Sequence, residues 1–96
     1  MFITIVEGEV DTSREDDLRS AWENGSSQLP AGLIESFLVR GEKTDRWRII
    51  SVWESRETVM AMRASVDRPG ALVMFERAGA EPTPSFWSVE GHATRD

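Results

Sequence analysis

The 96-residue chain contains no cysteine, no tyrosine and only one histidine. Without cysteine there is no disulfide and no thiolate chemistry. One histidine and no cysteine cannot assemble an ordinary zinc site. The remaining carboxylates show no EF-hand-like run, so no metal is expected. Positive charge is also scarce: 11 Lys and Arg stand against 17 Asp and Glu, a net charge of −6. A nucleic acid or an anionic membrane needs a basic patch, so neither is expected as a partner. No run is long and apolar enough to span a bilayer. The opening MFITIVEGEV lacks the basic n-region and small-residue cleavage site of a signal peptide, and a cytoplasmic setting is the resulting expectation. Internal repeats and low-complexity tracts are missing as well.

What is present reads as one globular domain over residues 1–96, with 40% hydrophobic and 29% charged residues. A chain this short buries only about 60–70% of its unfolded surface, so it gains much from a partner. Phe2 to Val10 alternates and is rich in β-branched residues, which predicts a strand. Thr12-Ser13-Arg14-Glu15 has the form of a capping box. The helix that follows carries Leu18, Ala21 and Trp22 on one face and stops at Gly25 or runs on to Gln28. Leu29-Pro30-Ala31-Gly32 predicts a turn, Leu33 to Arg40 a second strand, Gly41 to Asp45 a polar turn, and Arg46 to Glu54 a third strand. Ser55 is placed as the N-cap of a second helix through Val66, broken by Asp67-Arg68-Pro69-Gly70. Leu72 to Ala78 predicts a short third helix ended by Gly79. Glu81 to Pro84 reads as an extended linker and Phe86 to Thr94 as the last strand.

The order β-α-β-β-α-(α)-β is the split βαβ arrangement. It implies an α+β, ferredoxin-like fold with a four-stranded antiparallel sheet and helices on one face. A half-solvated sheet should alternate apolar with polar residues. In RWRIISVWES (46–55), Trp47 and Trp53 share one face, yet Ile50 and Val52 on the other are apolar too. The same holds for Ile3 and Ile5 against Phe2, Val6 and Val10. In the second strand Leu33, Phe37 and Val39 stand against Ile34 and Leu38. In the last, Phe86 stands against Trp87, Val89 and Ala93. An open apolar face of that size exceeds what a monomer ordinarily exposes. A homodimer packed sheet to sheet, helices outward, is the expected arrangement.

The element order, the FITIVEGEV opening, the Pro-Ala-Gly turn and the VWES junction between third strand and second helix resemble the antibiotic biosynthesis monooxygenase (ABM) family. The resemblance covers nearly the whole chain and implies a dimeric α/β barrel. Members include cofactor-free oxygenases of quinol- or anthrone-type aromatics, haem-degrading enzymes and small-molecule isomerases, so it implies the fold more narrowly than the function. Haem-degrading members use a His after the VWES position and an Asn on the first strand. Residues 56–79 here hold no His, Tyr or Cys, and the only Asn is Asn24, so that role is not expected. No cofactor is expected either.

A cofactor-free oxygenase needs an apolar pocket, a base and polar groups that hold a developing anion. Trp53 matches the family's Trp and can wall an aromatic pocket. Trp22, Met62, Leu72 and Phe75 are candidates for the helix-side lining, although residues of this kind at helical spacing are more often plain core. His92 is the one side chain with an unperturbed pKa near neutrality, which makes it the candidate base, although strands fray so close to a C-terminus. Glu7, Glu9, Glu35, Glu54 and Glu90 are the carboxylates on strands, and spacing singles out none of them. Three functions remain open: an ABM-type cofactor-independent monooxygenase acting on a small aromatic or quinol-like metabolite, a module that binds an apolar small molecule without converting it, and a dimerising scaffold whose pocket is filled by its own side chains.

Overall fold

A computed structural model describes residues 1–95. Four strands, β1 (Phe2–Glu9), β2 (Leu33–Arg40), β3 (Arg46–Trp53) and β4 (Thr83–Ser88), form one sheet in the order β2-β3-β1-β4. All neighbouring strands are antiparallel. Three helices, α1 (Glu15–Ser26), α2 (Arg56–Ser65) and α3 (Gly70–Arg77), connect them. The architecture is the ferredoxin-like α+β fold expected from the element order.

The even residues of β1 and the odd residues of β3 share the helix-covered face. Phe2, Val6, Trp47, Ile49 and Trp53 are all buried there. Two core clusters form on it. Val6, Val10, Leu18, Trp47, Ile49, Phe75 and Ala78 pack at one end, beneath α1 and α3. Phe2, Trp53 and Val59 pack at the other, beneath α2. Trp47 is covered by two guanidinium groups, Arg19 at 5.1 Å and Arg40 at 5.7 Å from its ring centroid, a cation–π contact on an aromatic of the inner strand β3.

The opposite face is apolar at its centre. Phe37, Ile50, Ile5 and Ser85 lie in one row across the four strands, with Val52, Ile3 and Trp87 in the next. Phe37 is 46% and Trp87 55% exposed in the single chain. At the sheet end Arg46 pairs with Glu7 and, at 3.1 Å, with Glu9.

Four details differ from the sequence-based expectation. First, the Thr12–Glu15 capping box does not form. Thr12–Arg14 is a 3-10 turn capped by Asp11, which accepts from Ser13 N–H at 3.0 Å, and α1 starts at Glu15. Asp at an N-cap competes well with Thr, and here it sits one residue earlier. Second, a register shift between Leu33 and Glu35 puts Leu33 and Leu38 on the helix-covered face and Phe37 and Val39 on the other. Strict alternation cannot anticipate a bulge. Third, α3 begins at Gly70, directly after Pro69, rather than at Leu72. Fourth, the last strand is Thr83–Ser88 rather than Phe86–Thr94. Ser88 pairs with Phe2, the first residue of β1, so later residues have no strand to join, and Val89 and Ala93 do not extend the sheet. Pro84 is tolerated because β4 is an edge strand.

The Pro-Ala-Gly turn and the VWES junction are one contact. Leu33 N–H donates to Pro30 C=O at 3.1 Å and Gly32 has φ +86°, the type II geometry that favours glycine at its third position. A Cβ on Gly32 would come within 2.5 Å of Thr58 Cβ, so the turn packs backbone against the first turn of α2. Gly32 C=O accepts from Glu54 N–H at 2.8 Å. On the other side Ser55 Oγ accepts from Thr58 N–H at 3.2 Å and Thr58 Oγ1 accepts from Ser55 N–H at 3.3 Å, a reciprocal capping box. Ser55→Ala should therefore lower stability by about 1 kcal/mol, a fall in melting temperature of roughly 4–8 °C for a domain of this size. Thermal denaturation followed by circular dichroism reads this directly. Gly79, at φ +75°, ends α3 in the same economical way: Gly79 N–H donates to Glu76 C=O and Ala80 N–H to Phe75 C=O, each at 3.0 Å, which is the Schellman pattern.

Candidate active site

Between the two core clusters the helices do not close on the sheet. A cavity of about 140 Å³ remains there. Its floor is the middle of the helix-covered sheet face, and its walls come from α1, α2, α3 and the turn before β2. Trp53, Trp22, Met62 and Leu72 all line it. Phe75 does not. It is fully buried in the core cluster beneath α1 and α3, and its ring edge would meet a Cβ on Gly8 at 3.1 Å. The lone glycine opposite it makes room for the ring. Helical periodicity gives Leu72 and Phe75 similar weight, but their places on α3 separate a cavity wall from a core residue.

His92 is exposed and lies beyond the end of β4, away from the cavity lining. The strand that would have carried it onto the face of Phe86 and Ser88 ends at Ser88. None of Glu7, Glu9, Glu35, Glu54 and Glu90 lines the cavity. Glu7 is held below its ordinary carboxylate pKa, first by the hydrogen bond from Arg46 and further by the charges of Arg48 and Arg46. It is ionised at neutral pH and paired with Arg46, away from the cavity. Among the described residues the one charged side chain on the lining is Arg63, whose guanidinium carbon stands 5.2 Å from the Phe86 ring centroid. Among the described residues no group of three or more His, Cys, Asp or Glu could hold a metal ion.

The polar groups of the floor are hydroxyls, and sequence reasoning missed them. Thr4, Ser51 and Ser36 sit side by side on β1, β3 and β2, in register with one another. The two indoles are tied to this row. Trp53 Nε1–H donates to Thr4 Oγ1 at 3.0 Å, and Trp22 Nε1–H donates to Ser36 Oγ at 3.3 Å. Both rings are thereby oriented by the sheet. The signal was present in β3, where Ser51 interrupts the otherwise apolar face of Trp47, Ile49 and Trp53.

A cavity of this size cannot enclose a tetrapyrrole. Its lining also offers no His, Cys or Tyr to haem iron. Titration with haem should give no one-to-one complex with a defined Soret shift. A stoichiometric complex that turns over haem with a reductant would contradict this and would direct attention to His92.

A four-stranded ferredoxin-like sheet with a helix-walled cavity is an architecture found in several solved structures. A single-site variant of SnoaB, a cofactor-independent oxygenase from Streptomyces nogalater, superposes with a TM-score of 0.74 at 13% identity, covering 98% of this chain and 97% of its own. Rv0793 from Mycobacterium tuberculosis gives 0.73 at 12% identity, covering 97% and 98%. An antibiotic biosynthesis monooxygenase gives 0.70 at 9% identity, covering 95% and 100%. The chain thus has the fold of the ABM structures over nearly its whole length. No family model matches the sequence, and no curated protein matches it.

Proposed function

We propose that the chain is a homodimeric, ABM-type cofactor-independent monooxygenase that acts on a small aromatic or quinol-like metabolite in the cavity beside Trp53. The observation that carries this reading is the cavity itself: apolar walls, two oriented indoles and a short row of hydroxyls converging on its floor. That is the usual make-up of a small-molecule site. In such a reaction the substrate supplies the electrons. A quinol and O2 give a hydroxyquinone and water, one oxygen atom entering the ring and the other leaving as water with the two hydrogens lost from the substrate. The hydroxyls would hold the oxyanion that forms before O2 is reduced. Sheet-to-sheet pairing would cover the apolar face that carries Phe37 and Trp87.

Among the described residues no carboxylate and no His lines the cavity, which favours a second reading, a non-catalytic binding module of the same fold. The pure scaffold has less support, since the cavity is not filled by the chain's own side chains. Oxygen uptake separates the first two. With hydroquinone and air, and nothing else added, the protein should consume O2 faster than the buffer does. Because no base is supplied, the rate should rise with pH as the substrate ionises. Two quinols of different acidity should then give two different midpoints. A midpoint common to both would place the base on the protein, and uptake no faster than in buffer would leave the binding module.

A further inference from the structure

Ser51 is the one buried polar residue among those described, 7% exposed at the middle of the sheet. Its hydroxyl makes no hydrogen bond to any described residue, and it is not sealed from the cavity either. Among the described residues the only side-chain nitrogen or oxygen fully enclosed without a partner is Trp47 Nε1. Burying a hydroxyl without a partner is costly, and a valine would suit a β-strand core better. The two neighbouring hydroxyls are constrained. Thr4 Oγ1 and Ser36 Oγ each accept an indole N–H, and each keeps one O–H to donate. Three hydroxyl donors thus lie in one row on adjacent strands, roughly 4.8 Å apart by ordinary sheet spacing, and all open on the same cavity.

We infer that this row is the oxygen-anchoring subsite of the cavity, with Ser51 as its centre, and that it selects single-ring phenols and quinols. The donors demand an acceptor oxygen on the ligand, and they favour its ionised form because hydrogen bonds to the charged species stabilise it. The walls demand an apolar body. The volume of about 140 Å³ is close to that of an engineered cavity of roughly 150 Å³ that takes benzene, which fits one ring and not two. Arg63 is the only charge at the cavity, so an anion is accepted where an ammonium would be repelled. The inference deepens the proposed function by naming the ligand class, and it rests on the same cavity.

4-Nitrophenol is the probe, because its ionisation is visible in its absorbance. It should bind the wild-type protein with its titration moved to lower pH. Ser51→Ala should weaken its binding about five- to tenfold, the worth of one hydrogen bond, and abolish most of the titration shift. The same variant should bind toluene as the wild type does, which also shows that the cavity is intact. Ser36→Ala should act in the same direction, and 2-naphthol should bind far more weakly than 4-nitrophenol. The inference is overturned if Ser51→Ala binds 4-nitrophenol like the wild type, if toluene binding falls in step with it, or if the wild-type protein binds no phenol. These readouts are independent of turnover: binding with the expected Ser51 dependence but no O2 uptake would leave the subsite standing and remove the oxygenase. Uptake that ignores Ser51→Ala would do the reverse.

Discussion

Trp53→Ala should lower the stability of the fold by about 3–5 kcal/mol, the range for truncating a large aromatic in a core. The ring is 3% exposed and packs with Phe2 and Val59 at the end of the sheet covered by α2. It also forms one wall of the cavity, and its N–H holds Thr4 Oγ1. Truncation would leave a void continuous with the cavity and would release Thr4 at the same time. Domains of this size are commonly stable by only about 5–15 kcal/mol, so the variant should melt far lower or fail to fold. Trp53→Phe divides the two roles of the residue. Phe keeps most of the buried ring but cannot donate to Thr4. It should fold with a modest loss of stability, and any turnover should fall roughly tenfold or more, because the hydroxyl row loses its orientation. Urea denaturation of both variants checks the first part and initial rates the second. A folded Trp53→Ala protein of unchanged stability would contradict the burial on which both parts depend.

Phe37→Asp should prevent the proposed sheet-to-sheet dimer from forming. Phe37 lies on the sheet face away from the helices, in one row with Ile50 and Ile5. It is 46% exposed in the single chain, so a carboxylate there costs an isolated subunit little. Between two paired sheets the same carboxylate would be buried without a partner, at a cost of about 3–5 kcal/mol, which weakens association a hundredfold or more. An obligate interface of this kind buries on the order of 2,000 Å² or more. The wild-type chain should therefore sediment as a dimer at micromolar concentration, and Phe37→Asp as a monomer or as aggregated, unfolded chain. A folded wild-type monomer at that concentration would refute sheet-to-sheet pairing.

Much of the fold was legible because its signals are local. Alternation and β-branched residues marked β1, and Ser55 marked the start of α2. The Pro-Ala-Gly turn was legible for a reason that became clear only in three dimensions: Gly32 leaves no room for a Cβ against Thr58. The misreadings were places where pairing decides. The end of β4 is set by where β1 begins, and Val89 to Thr94 carry no sign that their partner has run out. The faces of β2 depend on a bulge near Glu35 that its residues do not announce. The candidate site divides in the same way. Large apolar residues were easy to nominate, and four of the five nominated for the lining do lie on the cavity. The floor was not found, because Thr4, Ser36 and Ser51 are far apart in the chain and each is unremarkable alone. Only strand register brings them into a row. His92 drew attention because of its chemistry, but chemistry without a place in the sheet locates nothing.

The most direct measurement of the central claim is the fate of isotopically labelled O2. Hydroquinone is incubated with the protein and labelled O2 without any added cofactor, and the product is weighed by mass spectrometry. The account predicts a hydroxyquinone carrying one labelled oxygen, with the second label in water, at a rate that falls in Trp53→Phe. Unlabelled benzoquinone with all of the label in peroxide, or no product beyond that formed in buffer, would contradict it.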